Sequence, residues 1–191
     1  MTRSTRHFIL GVLALMVAAS GAIFAFQQLA PRPKRPGGSF VMTEMTGKPV
    51  TDGDLRGKPT AIFFGFTSCP ETCPVTLELL SSAMKEMGPR ADQLNVVYVT
   101  VDPERDTPEQ MRSYLSSFDQ RIRGFTGSDD QLAGMARAYQ VQYRRVPLGD
   151  SYTMDHSASV MLFDAKGQFV NFIPFGASEQ TMKAQLVSLV R

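Results

Sequence analysis

The sequence predicts an α/β three-layer sandwich with a mixed central sheet, preceded by one N-terminal transmembrane helix. Three observations carry this. Two short runs, Thr60 to Phe66 (TAIFFGF) and Leu94 to Val101 (LNVVYVTV), are almost wholly apolar and rich in β-branched and aromatic residues, as strands buried on both faces are. Segments with helical spacing and capping residues alternate with them. A 19-residue uncharged stretch, Phe8 to Phe26, stands apart near the start.

That first stretch spans roughly 28 Å as a helix, close to the thickness of a bilayer core. Small residues around Ala18, Ala19 and Ser20 also allow a cleaved secretory signal, but the length favours an uncleaved anchor. Basic residues flank both sides, so charge alone does not orient it. Pro31 to Gly38 (PRPKRPGG) reads as a stiff spacer. The organisation expected is a membrane anchor over residues 1–30, a Pro/Gly linker over 31–38, and one domain over 39–191.

The net charge of +2 belongs to the flanks. The basic residues Arg3, Arg6, Arg32, Lys34 and Arg35 precede any acid, and removing those five leaves 15 basic against 18 acidic residues. No basic stripe with interleaved aromatics is present, which excludes nucleic acid as a partner. With 43% hydrophobic and 20% charged residues, the domain has the composition of a folded chain with a sizeable core.

Within the domain, the run from Thr60 is the first strand. Pro70 to Met87 follows as a helix, with Cys73, Leu77, Leu80, Met84 and Met87 on one face and Pro74 in the first turn, where its missing N–H costs nothing. The run from Leu94 is the second strand. Thr107-Pro108-Glu109-Gln110 opens a helix to about Phe118, with Thr107 as N-cap. Ser128 caps another helix to Gln140, with Gln131 three residues later, and a weak strand lies between these two helices. Ser157 to Asp164, the turn Ala165-Lys166-Gly167 and Gln168 to Ile173 form a hairpin. Ser178 to Val190 closes the chain as a helix.

Chemistry concentrates in three residues. Cys69 and Cys73 sit at the turn from the first buried strand to its helix, in Ser68-Cys69-Pro70-Glu71-Thr72-Cys73-Pro74. They are too close to staple a fold, because the loop they would close restrains little chain entropy. Inert core thiols are the bland alternative. A helix N-terminus favours thiolate over thiol, and such thiolates exchange with disulfides or bind soft metals. A thioredoxin-like fold keeps its redox pair at this position, although the spacing here is one residue longer than C-x-x-C. Of the two histidines, His7 abuts the apolar stretch. His156, in Tyr152-Thr153-Met154-Asp155-His156-Ser157, enters the late strand, whose leading loop approaches the thiols in a thioredoxin-like layout. Two thiolates and one imidazole suit copper as Cu(I) and Cu(II). Structural zinc wants a fourth ligand, and neighbouring Asp155 points to the opposite face of a strand.

Three segments in order resemble one family: Gly65 to Pro74 (GFTSCPETCP), Val101 to Glu109 (VDPERDTPE) and Tyr152 to Ser157 (YTMDHS) are similar to motifs of the Sco/SenC copper chaperones. The resemblance runs from about Gly38 to the C-terminus. It implies a thioredoxin-like domain tethered to the inner membrane and facing the periplasm, or the intermembrane space of mitochondria. It implies copper as cargo, with an upstream copper donor, and delivery to the copper-bearing subunit of cytochrome c oxidase; in an oxidising compartment Cys69 and Cys73 would in addition need a thiol reductant to keep them from pairing. The family's copper ligands fall on Cys69, Cys73 and His156. Ser68 departs from the His or other polar residue of many members. Some members are credited instead with thiol–disulfide reductase or redox-signalling roles. That keeps an enzymatic alternative open, in which Cys69 and Cys73 would be the reacting pair. A thiol peroxidase ranks below both, since no arginine is assigned beside Cys69.

Two further groups have simpler readings. Asp102 to Asp106 reads as turn chemistry and helix capping, with a loop beside the metal site as the alternative. The pair Met84/Met87 reads as core, and Met42/Met45 stays open as a thioether site. Gly53 to Lys58 reads as turns, since its spacing is wrong for a phosphate loop.

Overall fold

A computed structural model describes residues 35–190, together with Met16 and Ser20. Apart from Met16 and Ser20, the expected anchor lies outside the described residues, as do His7 and residues 31–34 of the linker. Among the described residues, no helix is long and apolar enough to cross a membrane.

The strands are β1 (Val41–Glu44), β2 (Pro49–Thr51), β3 (Thr60–Gly65), β4 (Asn95–Thr100), β5 (Ile122–Thr126), β6 (Tyr143–Leu148), β7 (Ser151–His156), β8 (Val160–Phe163) and β9 (Phe169–Ile173). The α-helices are α1 (Thr72–Met87), α2 (Pro108–Leu115), α3 (Asp129–Tyr139) and α4 (Glu179–Leu189). Seven strands form one sheet in the order β2-β1-β5-β4-β3-β8-β9. Its centre, β5-β4-β3, is parallel, and β1 and β8 join it antiparallel on either side.

Every residue of β3 is buried, because the sheet is covered on both faces. Ala61 and Phe63 face one cluster with Leu77, Leu80 and Met84 of α1, Met111 and Leu115 of α2, and Met182 and Leu186 of α4. Ile62 and Phe64 face the other cluster, with Met135 and Tyr139 of α3. Strand β4 divides likewise, Tyr98 to the first cluster and Val97 and Val99 to the second. This two-faced burial is what an apolar run without alternation encodes. It yields the expected thioredoxin-like mixed sheet between helical layers.

Capping behaves as the sequence indicates. The Thr107 side chain accepts from the Gln110 N–H, and Ser128 and Gln131 form a reciprocal capping box. The helix from Pro108 ends earlier than expected, at Leu115.

Several expectations need correction. A hairpin, β1–β2, precedes the first expected strand; its strands of four and three residues are too short to show a pattern. Gly53 to Lys58 includes the end of a 3₁₀ turn over Asp52–Leu55, closed by Thr51 and Asp54, rather than turns alone. Met42 and Met45 form no thioether pair: Met42 is buried in one cluster and Met45 packs on the other. The late strand begins at Val160, not Ser157, and His156 does not enter it. His156 instead closes β7, which pairs only with β6 to form a separate two-stranded arm. Gly149 and Asp150 make the arm's two-residue turn, and Gly149 takes φ +57°, a conformation glycine adopts without strain.

Candidate metal centre

The site lies beyond the carboxyl end of β3, where the chain turns into α1. The turn is tight: the Cys69 N–H donates to the Phe66 carbonyl at 3.1 Å. Helix α1 has no capping side chain and no acid in its first turn. One of its first-turn N–H groups is used by the site itself: the Cys73 N–H donates to Cys69 Sγ at 3.4 Å. Cys73, the second residue of α1, is wholly buried, Cys69 is half-buried, and neither is in a disulfide.

The environment drives the two thiols apart. Cys69 is pulled down to about 4, first by the adjacent Cys73 thiol and further by the backbone N–H groups of Cys73 and Glu71, against the penalty of burial. Cys73 is pushed far above the usual thiol range, first by the Cys69 sulfur and then by burial. One sulfur is thus poised as a thiolate beside a protonated partner.

His156 arrives from the arm. Its ring stands edge-on to Phe66 at 5.8 Å and to Phe63 at 6.4 Å, so β3 and the segment after it wall the imidazole. Nδ1 lies 3.0 Å from the Ser157 carbonyl, which only accepts, so Nδ1 carries the proton. The Nε2 lone pair then faces Cys73 Sγ, 3.7 Å away. Cys69, Cys73 and His156 place one donor atom each within 4.8 Å of one another. Donors bound at about 2.0–2.3 Å to a single ion stand at most about 4.6 Å apart, so only a small contraction closes this trio on a metal. Two soft sulfurs and an imidazole form a donor set suited to copper. Asp155 turns away and pairs with Arg144, so it offers no fourth ligand.

Sequence reasoning missed how the site is braced. Capping accounts for Thr107 and Pro108 but not for Asp102 and Asp106, both buried. The Asp106 carboxylate accepts from the Thr67 N–H at 2.9 Å, the Thr67 hydroxyl at 2.6 Å and the Thr100 hydroxyl at 2.6 Å. It ties the loop before Cys69 to the end of β4. Burial pushes its carboxyl up while those donors oppose the shift. Asp102 accepts from Arg105 and, at 2.9 Å, from the Tyr152 hydroxyl. The Tyr152 ring lies between the Arg105 and Arg145 guanidinium groups, each 3.9 Å from its centroid, and Arg145 pairs with Glu104. The acidic loop therefore latches the arm that carries His156. The signal available in the sequence was two acids spaced by three residues after a buried strand, which turn chemistry also explains.

Comparison with known proteins places this architecture. The SCO1/SenC family model matches residues 29–191. The mitochondrial protein SCO2 of Saccharomyces cerevisiae is 35% identical over 150 residues, which are 76% of this chain and 50% of that protein. This chain thus spans about half the length of that relative. The copper-bound structure of Bradyrhizobium japonicum ScoI superposes with a TM-score of 0.76 at 42% identity, covering 81% of this chain and 99% of that one. Copper-bound yeast Sco1 gives a TM-score of 0.75 at 33% identity, over 82% and 88% of the two chains. By sequence, by fold and by the arrangement at the end of β3, the chain belongs to the SCO1/SenC family.

Proposed function

We propose that this chain is a copper chaperone that holds one copper ion through the Cys69 and Cys73 thiolates and the His156 imidazole, and delivers it to the copper-bearing subunit of cytochrome c oxidase during assembly. Residues 1–30 tether it to the inner membrane, residues 31–38 space it from the bilayer, and the domain from residue 39 faces the periplasm or the mitochondrial intermembrane space. Copper is cargo, received from an upstream donor. The observation that carries this reading is the convergence of Cys73 and His156, 83 residues apart in the chain, with Cys69 beside them. The copper-bound relatives support it.

The chain's own residues define the handling chemistry. The Ser157 carbonyl holds the imidazole in the tautomer that leaves Nε2 free to bind. The half-buried Cys69 lies on the accessible side, and the buried Cys73 lies behind it. Three donors leave a coordination position open to a ligand of the recipient, so copper passes by ligand exchange and not through water. Metal analysis with X-ray absorption on the full chain tests this. The expected result is one copper with two sulfur neighbours and one nitrogen neighbour; no bound copper, or only nitrogen and oxygen neighbours, overturns it.

The asymmetry of the two thiols favours one second reading, a thiol–disulfide reductase. Cys69 would attack a client disulfide, forming a mixed disulfide and releasing one client thiolate. Cys73 would then displace the second client sulfur, leaving a Cys69–Cys73 disulfide for a separate thiol reductant to reset. Oxidase assembly in cells carrying His156→Ala separates the readings: lost assembly supports metal delivery, and retained assembly supports the reductase.

A further inference from the structure

Tyr98, on β4, lies directly behind Cys73. Its side chain is completely buried, and its hydroxyl makes no full hydrogen bond among the described residues; the one polar atom it interacts with is the Cys73 sulfur. A buried hydroxyl left unpaired is costly, so its retention in the core calls for a compensating role. The neighbouring rings of Phe63 and Tyr114, at 5.8 and 5.9 Å, offer it no bond: Phe63 has no acceptor, and the Tyr114 hydroxyl is itself unpaired.

The missing side chain of Gly65 explains where this hydroxyl is aimed. A β-carbon at Gly65 would lie 2.6 Å from Cys73 Sγ and 2.8 Å from Tyr98 Oη. Sulfur and hydroxyl thus face one another across a space that only glycine leaves open. A neutral thiol is a weak acceptor, which leaves the hydroxyl unpaired. A thiolate bound to a metal is a much stronger one.

We propose that Tyr98 Oη donates a hydrogen bond to the Cys73 sulfur when that sulfur ligates copper, and thereby biases the site toward Cu(I). The inference rests on the copper-site reading above. The bond draws electron density from the thiolate. Cu(II) depends on that density more than Cu(I) does, so the donor raises the reduction potential, as hydrogen bonds around a ligating cysteine do in other copper sites. Tyr98 acts through Cys73 and touches no metal.

The test compares the full chain with its Tyr98→Phe variant, each loaded with Cu(II) and, separately, with Cu(I) under a competing chelator. Phenylalanine keeps the ring and removes only an unpaired hydroxyl, so the thermal unfolding midpoint is expected to hold or rise. The expected result is one copper in both proteins and a sulfur-to-Cu(II) charge-transfer band at lower energy in the variant. The ratio of Cu(I) to Cu(II) affinity falls about tenfold, which is about 59 mV in a one-electron potential. An unchanged band and potential with copper still bound overturns the role of Tyr98 alone. Failure of the unmodified chain to bind copper overturns the reading beneath it. If Tyr98→Phe does not fold, incorporation of 3-fluorotyrosine gives a second measurement. It strengthens the phenol as a donor without altering its shape, so the band is expected at higher energy, and no shift overturns the proposal.

Discussion

The cysteines and the histidine reach the same point by different means. Cys69 and Cys73 sit at the end of β3, a central strand with every residue buried, and on the first turn of a helix packed against the sheet. His156 sits at the end of a two-stranded arm that pairs with no other strand among the described residues and in which Met154 alone is buried. An isolated hairpin of this kind is marginal in water. The arm is held instead by Met154, Tyr143 and Tyr152 packing on the core, and by the Arg105–Tyr152–Arg145 stack. The sulfurs are set when the core folds, whereas the imidazole is placed by a separate element of lower local stability. The lesson is a division of labour in which the two donor types can be perturbed independently.

The largest test of that division is Cys73→Ser. Loss of a central sulfur is expected to weaken Cu(I) binding by on the order of a hundredfold or more, beyond the effects of outer-shell changes, as read by chelator competition. Retained affinity would mean that the core does not supply the primary ligands.

Alkylation of the reduced, metal-free chain then separates the two sulfurs. Because the folded value of Cys69 lies near 4, below the roughly 8.5 of an unfolded thiol, its thiolate persists as pH falls from 8 and is lost only near 4. The same shift adds stability to the fold above the unfolded value, and that contribution disappears as pH falls through the folded one. Iodoacetamide is expected to modify Cys69 at pH 6 a few times faster than a model thiol, a roughly 300-fold gain in thiolate fraction being offset about a hundredfold by weaker nucleophilicity, with Cys73 untouched. A rate that drops in proportion to hydroxide from pH 8 contradicts the assignment.

His156→Ala probes the arm. Cu(II) binding is expected to weaken about tenfold and Cu(I) binding far less, since Cu(I) is satisfied by sulfur. Equal losses would erase the distinction between the two regions. The smallest effect is expected from Tyr152→Ala. Two cation–π contacts and a hydrogen bond to Asp102 together contribute about 2 kcal/mol to docking of the arm. Hydrogen exchange is expected to accelerate in 143–156 while β3 and β4 stay protected, with Cu(II) affinity falling a few-fold.

The sequence was most legible where residue types are scarce or patterns long. Two cysteines and one histidine of the domain stand out by chemistry, and β3, β4 and the helices by apolar runs and caps. The arm was illegible because β6 carries Arg144, Arg145 and Pro147, which break any strand pattern. Asp106 resembled a turn residue because burial leaves no mark in local sequence. Tyr98 looked like core filling, since only the space at Gly65 brings its hydroxyl toward a sulfur from another element.

The two-residue turn at Gly149 and Asp150 carries a consequence for metal identity. It sets which residue of β7 stands opposite Tyr143, and so which side chain meets the sulfurs. One inserted residue between that turn and the tip of the strand would invert every side chain after it. The Asp155 carboxylate would then replace the ring nitrogen beside the sulfurs, exchanging an intermediate donor for a hard oxygen. The length of a tight bend at the far end of the arm thus sets which donor stands beside the two sulfurs.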